Sequence, residues 1–168
     1  VAVIALTLIA VRWVTRPLKT LAEAAEKLGA DITITNGYVE ARADGLKGAP
    51  FYFDTISVTG TENLMMAASL ADGETVLENA AREPEIEDLA SLLNKMGASI
   101  KGAGTDTIRI RGVARLRGAE HGIIPDRIET GTFVAAAAIT DGHLRLCQVC
   151  PDHLTAVANI VLDVAIAV

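Results

Sequence analysis

One stretch of this chain recurs at a nearly constant distance, and that duplication limits the fold more than any single motif. Leu-Ala-Glu-Ala-Ala-Glu-Lys-Leu-Gly-Ala at residues 21–30 returns as Leu-Ala-Ser-Leu-Leu-Asn-Lys-Met-Gly-Ala at residues 89–98, an offset of 68. Leu46-Lys47-Gly48-Ala49 returns as Leu116-Arg117-Gly118-Ala119, an offset of 70. Ala67-Ala68 with Asp72-Gly73 returns as Ala136-Ala137 with Asp141-Gly142, an offset of 69. Three markers in one order at nearly one spacing mean a duplicated structural unit.

The first marker reads as a helix. Leu21, Ala24, Ala25 and Leu28, like Leu89, Leu92, Leu93 and Met96, fall on one helical face, and Gly29 or Gly97 stands where a helix ends with positive φ. Ile32-Thr33-Ile34-Thr35 and Thr107-Ile108-Arg109-Ile110-Arg111 alternate apolar and polar residues, as strands with one wet face do. A second helix is expected at 61–71, with its copy at 130–140. Leu64 to Ala68 and Phe133 to Ile139 leave these helices almost no polar stripe, so both are expected to be nearly wholly buried. The economical architecture is an inside-out α/β repeat of about two units, with helices in the middle and sheets around them. Periodicity alone leaves an ordinary layered α+β sandwich open.

The chain has 168 residues, enough for one domain or parts of two. Hydrophobic residues make up 51% but aromatic ones only 4%, which implies a core of small aliphatic side chains. A net charge of −6 argues against a nucleic-acid partner, whose phosphates require clustered Lys and Arg. Two cysteines do not make a disulfide framework, so a cytoplasmic location is the default. Both ends look cut. A third copy of the helix marker is expected after Pro151-Asp152, but Asp163-Val164 stand roughly where Met96-Gly97 stood, and the repeat decays into an apolar stub.

Residues 1–11 are apolar or neutral and lead into Arg12-Trp13-Val14-Thr15-Arg16-Pro17. Crossing a bilayer takes about 20 apolar residues, so membrane contact by residues 1–14 is not the favoured reading, although the Trp and two Arg would suit an interface. Residues 1–31 also resemble the last transmembrane helix and linker of a sensor kinase. That resemblance supplies the rival functional reading: a membrane-anchored, non-enzymatic module.

Several residues invite a site. Ser57-Val58-Thr59-Gly60-Thr61 enters the second helix, and helix-start N–H groups suit an anion; an ordinary Ser or Thr N-cap is the plainer reading. Glu83, Glu85, Glu87 and Asp88 around Pro84 are explained by the helix macrodipole. Cys147-Gln148-Val149-Cys150, with His143 and His153 nearby, lacks the second pair that a zinc site needs, and a half-buried strand is expected there. No metal ligand and no cofactor is assigned.

Two strings are far more specific: Glu78-Asn79-Ala80-Ala81-Arg82-Glu83-Pro84-Glu85-Ile86-Glu87-Asp88-Leu89 and Ile124-Pro125-Asp126-Arg127-Ile128-Glu129-Thr130-Gly131-Thr132-Phe133. With Asp54 to Asn63 and Gly102 to Ile108, they closely resemble the UDP-N-acetylglucosamine 1-carboxyvinyltransferases, nearly without gaps from about Leu28 to Leu154. The resemblance implies two domains, each of three α/β units with helices inside. Residues 1–15 would be an unmatched segment, 16–124 a partial first domain and 125–168 the start of the second, with Pro125 at the hinge. It also implies transfer of enolpyruvyl from phosphoenolpyruvate to the 3′-hydroxyl of UDP-N-acetylglucosamine, by addition and then elimination of phosphate, at the start of peptidoglycan precursor synthesis.

That chemistry needs a proton donor for the vinyl carbon, a base for the hydroxyl and cations around the phosphates. By the resemblance, UDP-sugar contacts fall on Arg16, Pro17, Thr55, Ile56, Ser57 and Val58, with Asp126 and Glu129 just past the hinge. The family's catalytic Cys lies five residues before its Arg-Pro pair. Here that position holds Val11, which cannot donate a proton, so no catalytic residue is assigned and turnover by this chain alone is not expected.

Overall fold

The computed structural model describes residues 22–35, 38–157 and 159. They fall into two compact units that divide between His121 and Gly122. The first unit opens with a helical segment at 22–27, then a hairpin of β1 (Asp31–Thr35) and β2 (Tyr38–Arg42). A four-stranded sheet comes next, ordered β3-β4-β6-β5, from Pro50–Tyr52, Glu74–Glu78, Thr107–Arg111 and Ser99–Lys101. Strands β3 and β4 run parallel, joined by helix α1 (Val58–Ala68), while β6 is antiparallel to both β4 and β5. Helix α2 (Pro84–Lys95) connects β4 to β5.

Strand alternation decides the layering. Phe51, Thr75, Leu77, Ile100, Ile108 and Ile110 point inward, while Tyr52, Glu74, Glu78, Arg109 and Arg111 face water. The dry face packs with Leu64, Met65 and Ala68 of α1 and Ile86, Ala90 and Leu93 of α2, around Phe53. Phe51 and Phe53 meet edge to face at 4.9 Å. Ala24 and Leu28 join the same core. Within this unit the helices lie inside and the sheet faces out, as the duplication implied.

The repeat is legible bond by bond. Gly29 (φ 90°) and Gly97 (φ 106°) end their helices in the left-handed region. Ala30 N donates to Ala25 O at 2.9 Å, and Ala98 N to Leu93 O at 2.9 Å, which closes two orphan carbonyls in the same way. Lys47 N then donates to Leu28 O (2.8 Å), and Arg117 N to Met96 O (2.9 Å). The two alternating stretches seen in the sequence are not counterparts, however. Each helix is followed by a hairpin, and the alternation is clear in the first strand of one (β1) and the second strand of the other (β6).

The second unit holds helix α3 (Arg127–Ile139) and a 3-10 turn at Pro151–Leu154; the third copy of the helix marker, expected after Pro151-Asp152, falls largely outside the described residues. Two expectations need correction. Neither apolar helix is nearly wholly buried: α1 leaves Met66 44% exposed, with Leu70 just beyond it uncovered, and α3 buries only Thr130 and Gly131, with Ile139 84% exposed. An apolar helix is dry only where something covers it, and the described neighbours of α3 reach little beyond Leu154 and Val157 beside Gly131. The half-buried strand expected at residues 147–150 is also not formed. That segment is irregular, with Cys147 exposed and Gln148 at φ 57°.

Candidate functional site

The segment 54–58 leaves the sheet after Phe53, whose N–H is held by Glu78 O (3.0 Å) and whose O accepts from Asn79 Nδ2 (2.7 Å). Asn79 reaches that carbonyl because it adopts φ 54°, which Asn tolerates better than most residues. With Phe53 anchored, Thr55 and Ile56 stand exposed and Ser57 becomes the N-cap of α1. Its Oγ accepts from Gly60 N at 3.0 Å, and Thr61 Oγ1 donates to Ser57 O at 2.8 Å. The plainer reading of Ser57 therefore holds. It also leaves the Val58 and Thr59 amides of the first turn without intrahelical acceptors, since Gly60 N is taken by Ser57 Oγ and Thr61 N by Ser57 O. No acidic side chain occupies that first turn.

The second unit repeats this start with one change. Asp126 caps α3, its Oδ1 accepting from Ile128 N (2.7 Å) and Glu129 N (3.0 Å), and Thr130 Oγ1 donates to Asp126 O at 2.6 Å. Ser57 and Thr61 thus correspond to Asp126 and Thr130, 69 residues on. The change of cap reverses the electrostatics. At α1 the helix-start dipole meets a neutral hydroxyl and stays open to an anion; at α3 a carboxylate already satisfies it, and Glu129 adds a second charge in the first turn. The start of α1 suits a phosphate, and the start of α3 suits hydrogen-bond donors such as sugar hydroxyls or an amide N–H.

Farther along α1, Glu62 has its carboxyl pushed above the usual 4.5, first by partial burial and then by the nearby charges of Glu85 and Glu83. Glu85 and Glu87 lie in the first turn of α2 behind Pro84, where the macrodipole favours them, as the sequence implied. An open cleft of about 450 Å³ lies at the other end of α2, lined by Met96, Gly97, Arg115, Leu116 and Arg117; none of the sequence-nominated residues lines it. Among the described residues no group of three or more His, Cys, Asp or Glu side chains could hold a metal ion. Nor, among them, is any helix long and apolar enough to cross a membrane.

Of the nominated residues, Thr55, Ile56, Ser57 and Val58 form one continuous run in the first unit, and Asp126 and Glu129 share one helix start in the second. Arg16, Pro17 and Val11 lie outside the described residues, as does the apolar segment at 1–14. Sequence reasoning missed Thr61 and Thr130, the buried hydroxyls that brace both helix starts. The 69-residue offset could have found them, because both caps keep a Thr four residues on.

Comparison with known proteins places these features in a lineage. A family model described as EPSP synthase (3-phosphoshikimate 1-carboxyvinyltransferase) matches residues 11–167. The chain is 61% identical over 142 residues to "UDP-N-acetylglucosamine 1-carboxyvinyltransferase 1" of Caldanaerobacter subterraneus subsp. tengcongensis, covering 84% of this chain and 34% of that protein. It is also 61% identical over 142 residues to the UDP-N-acetylglucosamine 1-carboxyvinyltransferase of Acidobacterium capsulatum, covering 84% and 33%. The chain thus spans about a third of the length of the curated relatives it matches. Among solved structures, the enolpyruvyl transferase NikO from Streptomyces tendae has the same fold, with a TM-score of 0.64 at 23% identity over 72% of this chain and 31% of that one.

Proposed function

The chain belongs to the EPSP synthase family, and from that membership we propose that it forms part of a UDP-N-acetylglucosamine enolpyruvyl transferase. The reaction would move enolpyruvyl from phosphoenolpyruvate to the sugar 3′-hydroxyl, releasing phosphate, in the cytoplasmic synthesis of peptidoglycan precursors. Identity of 61% over 142 residues with two proteins of that name supports the substrate assignment. The observation that carries a role for this chain's own residues is the open start of α1. Ser57 is the helix cap, Thr55 and Ile56 are exposed, and the Val58 and Thr59 amides lack intrahelical acceptors in a first turn that holds no carboxylate. These donors would hold the diphosphate of the UDP-sugar. By the same resemblance Arg16 and Pro17 would add contacts, and Asp126 and Glu129 would take hydroxyl or amide groups.

The proton donor is a different matter. Val11 stands where relatives of this type are expected to carry Cys, and valine has no proton to give. We therefore assign this chain a binding role and no turnover of its own. Nothing observed favours a membrane-anchored module.

Titration with UDP-N-acetylglucosamine, followed by amide NMR shifts, tests the reading. Binding of roughly millimolar strength is expected, with shifts clustered at residues 55–61 and 126–129. Two substitutions separate cap from contact. Ser57→Asn and Ser57→Asp both preserve an N-cap, as Asp126 does in the second repeat. Ser57→Asn should bind about as well as the unchanged chain, whereas Ser57→Asp places a carboxylate against the diphosphate and should abolish binding. Equal binding by both variants would remove α1 from the site. Phosphate release from phosphoenolpyruvate, assayed in parallel, should not rise above blank.

A further inference from the structure

The two repeats place a lysine in the same position, three residues before the end of the helix marker, yet hand it different partners. In the first repeat Lys27 Nζ lies over the ring of Phe51, 5.3 Å from its centroid. In the second, Lys95 Nζ lies 3.0 Å from His121 Nδ1, and His121 stands 70 residues after Phe51, the offset of the Leu-Lys-Gly-Ala marker. His121 Nε2 in turn lies 2.8 Å from Asp88 Oδ1. The imidazole is only 7% exposed and the carboxylate 16%.

The chain beyond each marker differs as well. After Gly48 it becomes β3, held by pairing with β4 and by buried Phe51. After Gly118 the described chain forms no strand before α3, and among the described residues no amide from 118 to 121 takes part in a backbone hydrogen bond. Among the described residues of the first unit, the last backbone tie is Arg117 N to Met96 O. The polar cluster therefore stands where the first repeat uses a strand and an aromatic anchor.

Donor and acceptor chemistry fixes the state of the ring. A lysine ammonium has donors only, so Nδ1 must accept; the ring hydrogen then sits on Nε2 and is donated to the Asp88 carboxylate. We propose that Asp88, His121 and Lys95 form a latch, with His121 a neutral Nε2–H imidazole, that pins the end of the first unit to α2 and so holds the segment after Arg117 in place. His121 acts as a positioning residue. Its consequence for ligand rests on the binding role proposed above, but the latch itself does not.

The test uses the full chain, first without ligand. Long-range ¹H–¹⁵N correlation should show His121 as a single tautomer with Nδ1 unprotonated, and the double variant Asp88→Leu, Lys95→Met, which removes both partners, should convert it to a mixture. An Nδ1–H or mixed ring in the unchanged chain would overturn the proposal. The Arg117 amide reports the hold on the segment. His121→Phe keeps a flat ring but loses both bonds, and exchange at Arg117 should quicken about tenfold, the scale of a lost charge-assisted hydrogen bond. His121→Gln offers one acceptor and one donor from the same position and should restore exchange to within about threefold of the original. If Gln and Phe behave alike, the ring is only packing and the latch is wrong; should His121→Phe fail to fold, His121→Gln against the unchanged chain and the tautomer of the double variant still decide. Titrating the same samples with UDP-N-acetylglucosamine separates the two readings: an unchanged chain that shows the single tautomer but no ligand shifts refutes the binding role and leaves the latch standing.

Discussion

The backbone N–H of Ala81 donates to Thr61 Oγ1 at 3.1 Å, tying the loop before α2 to the first full turn of α1. Thr61 is fully buried, and the same hydroxyl donates to Ser57 O, so one oxygen joins the helix cap, the helix and the loop. Thr61→Val keeps the shape but leaves a dry N–H without an acceptor, at an expected cost of about 1–3 kcal/mol in urea unfolding. Thr61→Ser keeps the oxygen and loses one methyl, so it should cost less. The reverse ranking would mean that packing, not the hydrogen bond, is what Thr61 supplies.

Thr75 presents the opposite case. Its hydroxyl is buried on the inner face of β4, and among the described residues Oγ1 has no hydrogen-bond partner. Thr75→Val retains the branched shape and removes the unsatisfied group, so stability should rise by about 1 kcal/mol. A destabilised variant would reveal an acceptor or a bound water at that hydroxyl.

The duplicated glycines Gly48 and Gly118 should respond differently to alanine. A Cβ on Gly48 would sit 2.5 Å from the backbone oxygen of Glu74, a residue held in β4 by its pairing with Arg111 of β6. Gly118 has nothing within 4 Å of that position. Gly48→Ala should destabilise the fold by about 1–3 kcal/mol and Gly118→Ala by less than about 0.5 kcal/mol, measured as chemical denaturation midpoints.

Glu62 ties stability to pH in the direction opposite to most carboxylates. Its folded-state pKa is raised, so the folded chain holds the proton more tightly than the unfolded chain does. The resulting stabilisation is fully present below the ordinary value of 4.5 and is lost as pH rises through the folded value. At pH 7, burial and the charges of Glu85 and Glu83 oppose the ionised form. Glu62→Gln should therefore raise Tm by about a degree or two at pH 7, with the gain fading near pH 4, since solvent screens a group this exposed. A gain that grows on acidification would reverse the assigned sign.

The reach of each signal along the chain governs how much of the structure was legible in the residues. Gly29 and Gly97 end their helices, Ser57 caps α1 and Pro84 opens α2 because each outcome depends on φ or on a bond within four residues. The Cys147 to Cys150 stretch misled because a short apolar run carries no record of whether a neighbouring strand exists to pair with it. His121 escaped notice because its partners are 33 and 26 residues away, although the repeat had already aligned it with Phe51.

Local spacing and side-chain chemistry were enough to establish the duplication, the order of the helices and the Ser57 cap of α1. Burial was not, because it depends on how the elements assemble. Helices α1 and α3 are almost equally apolar, yet α1 buries Leu64, Met65 and Ala68 against a sheet, while α3 buries little beyond Thr130 and Gly131. The hydrophobic effect acts on area removed from water, and a segment carries no information on what is present to remove it.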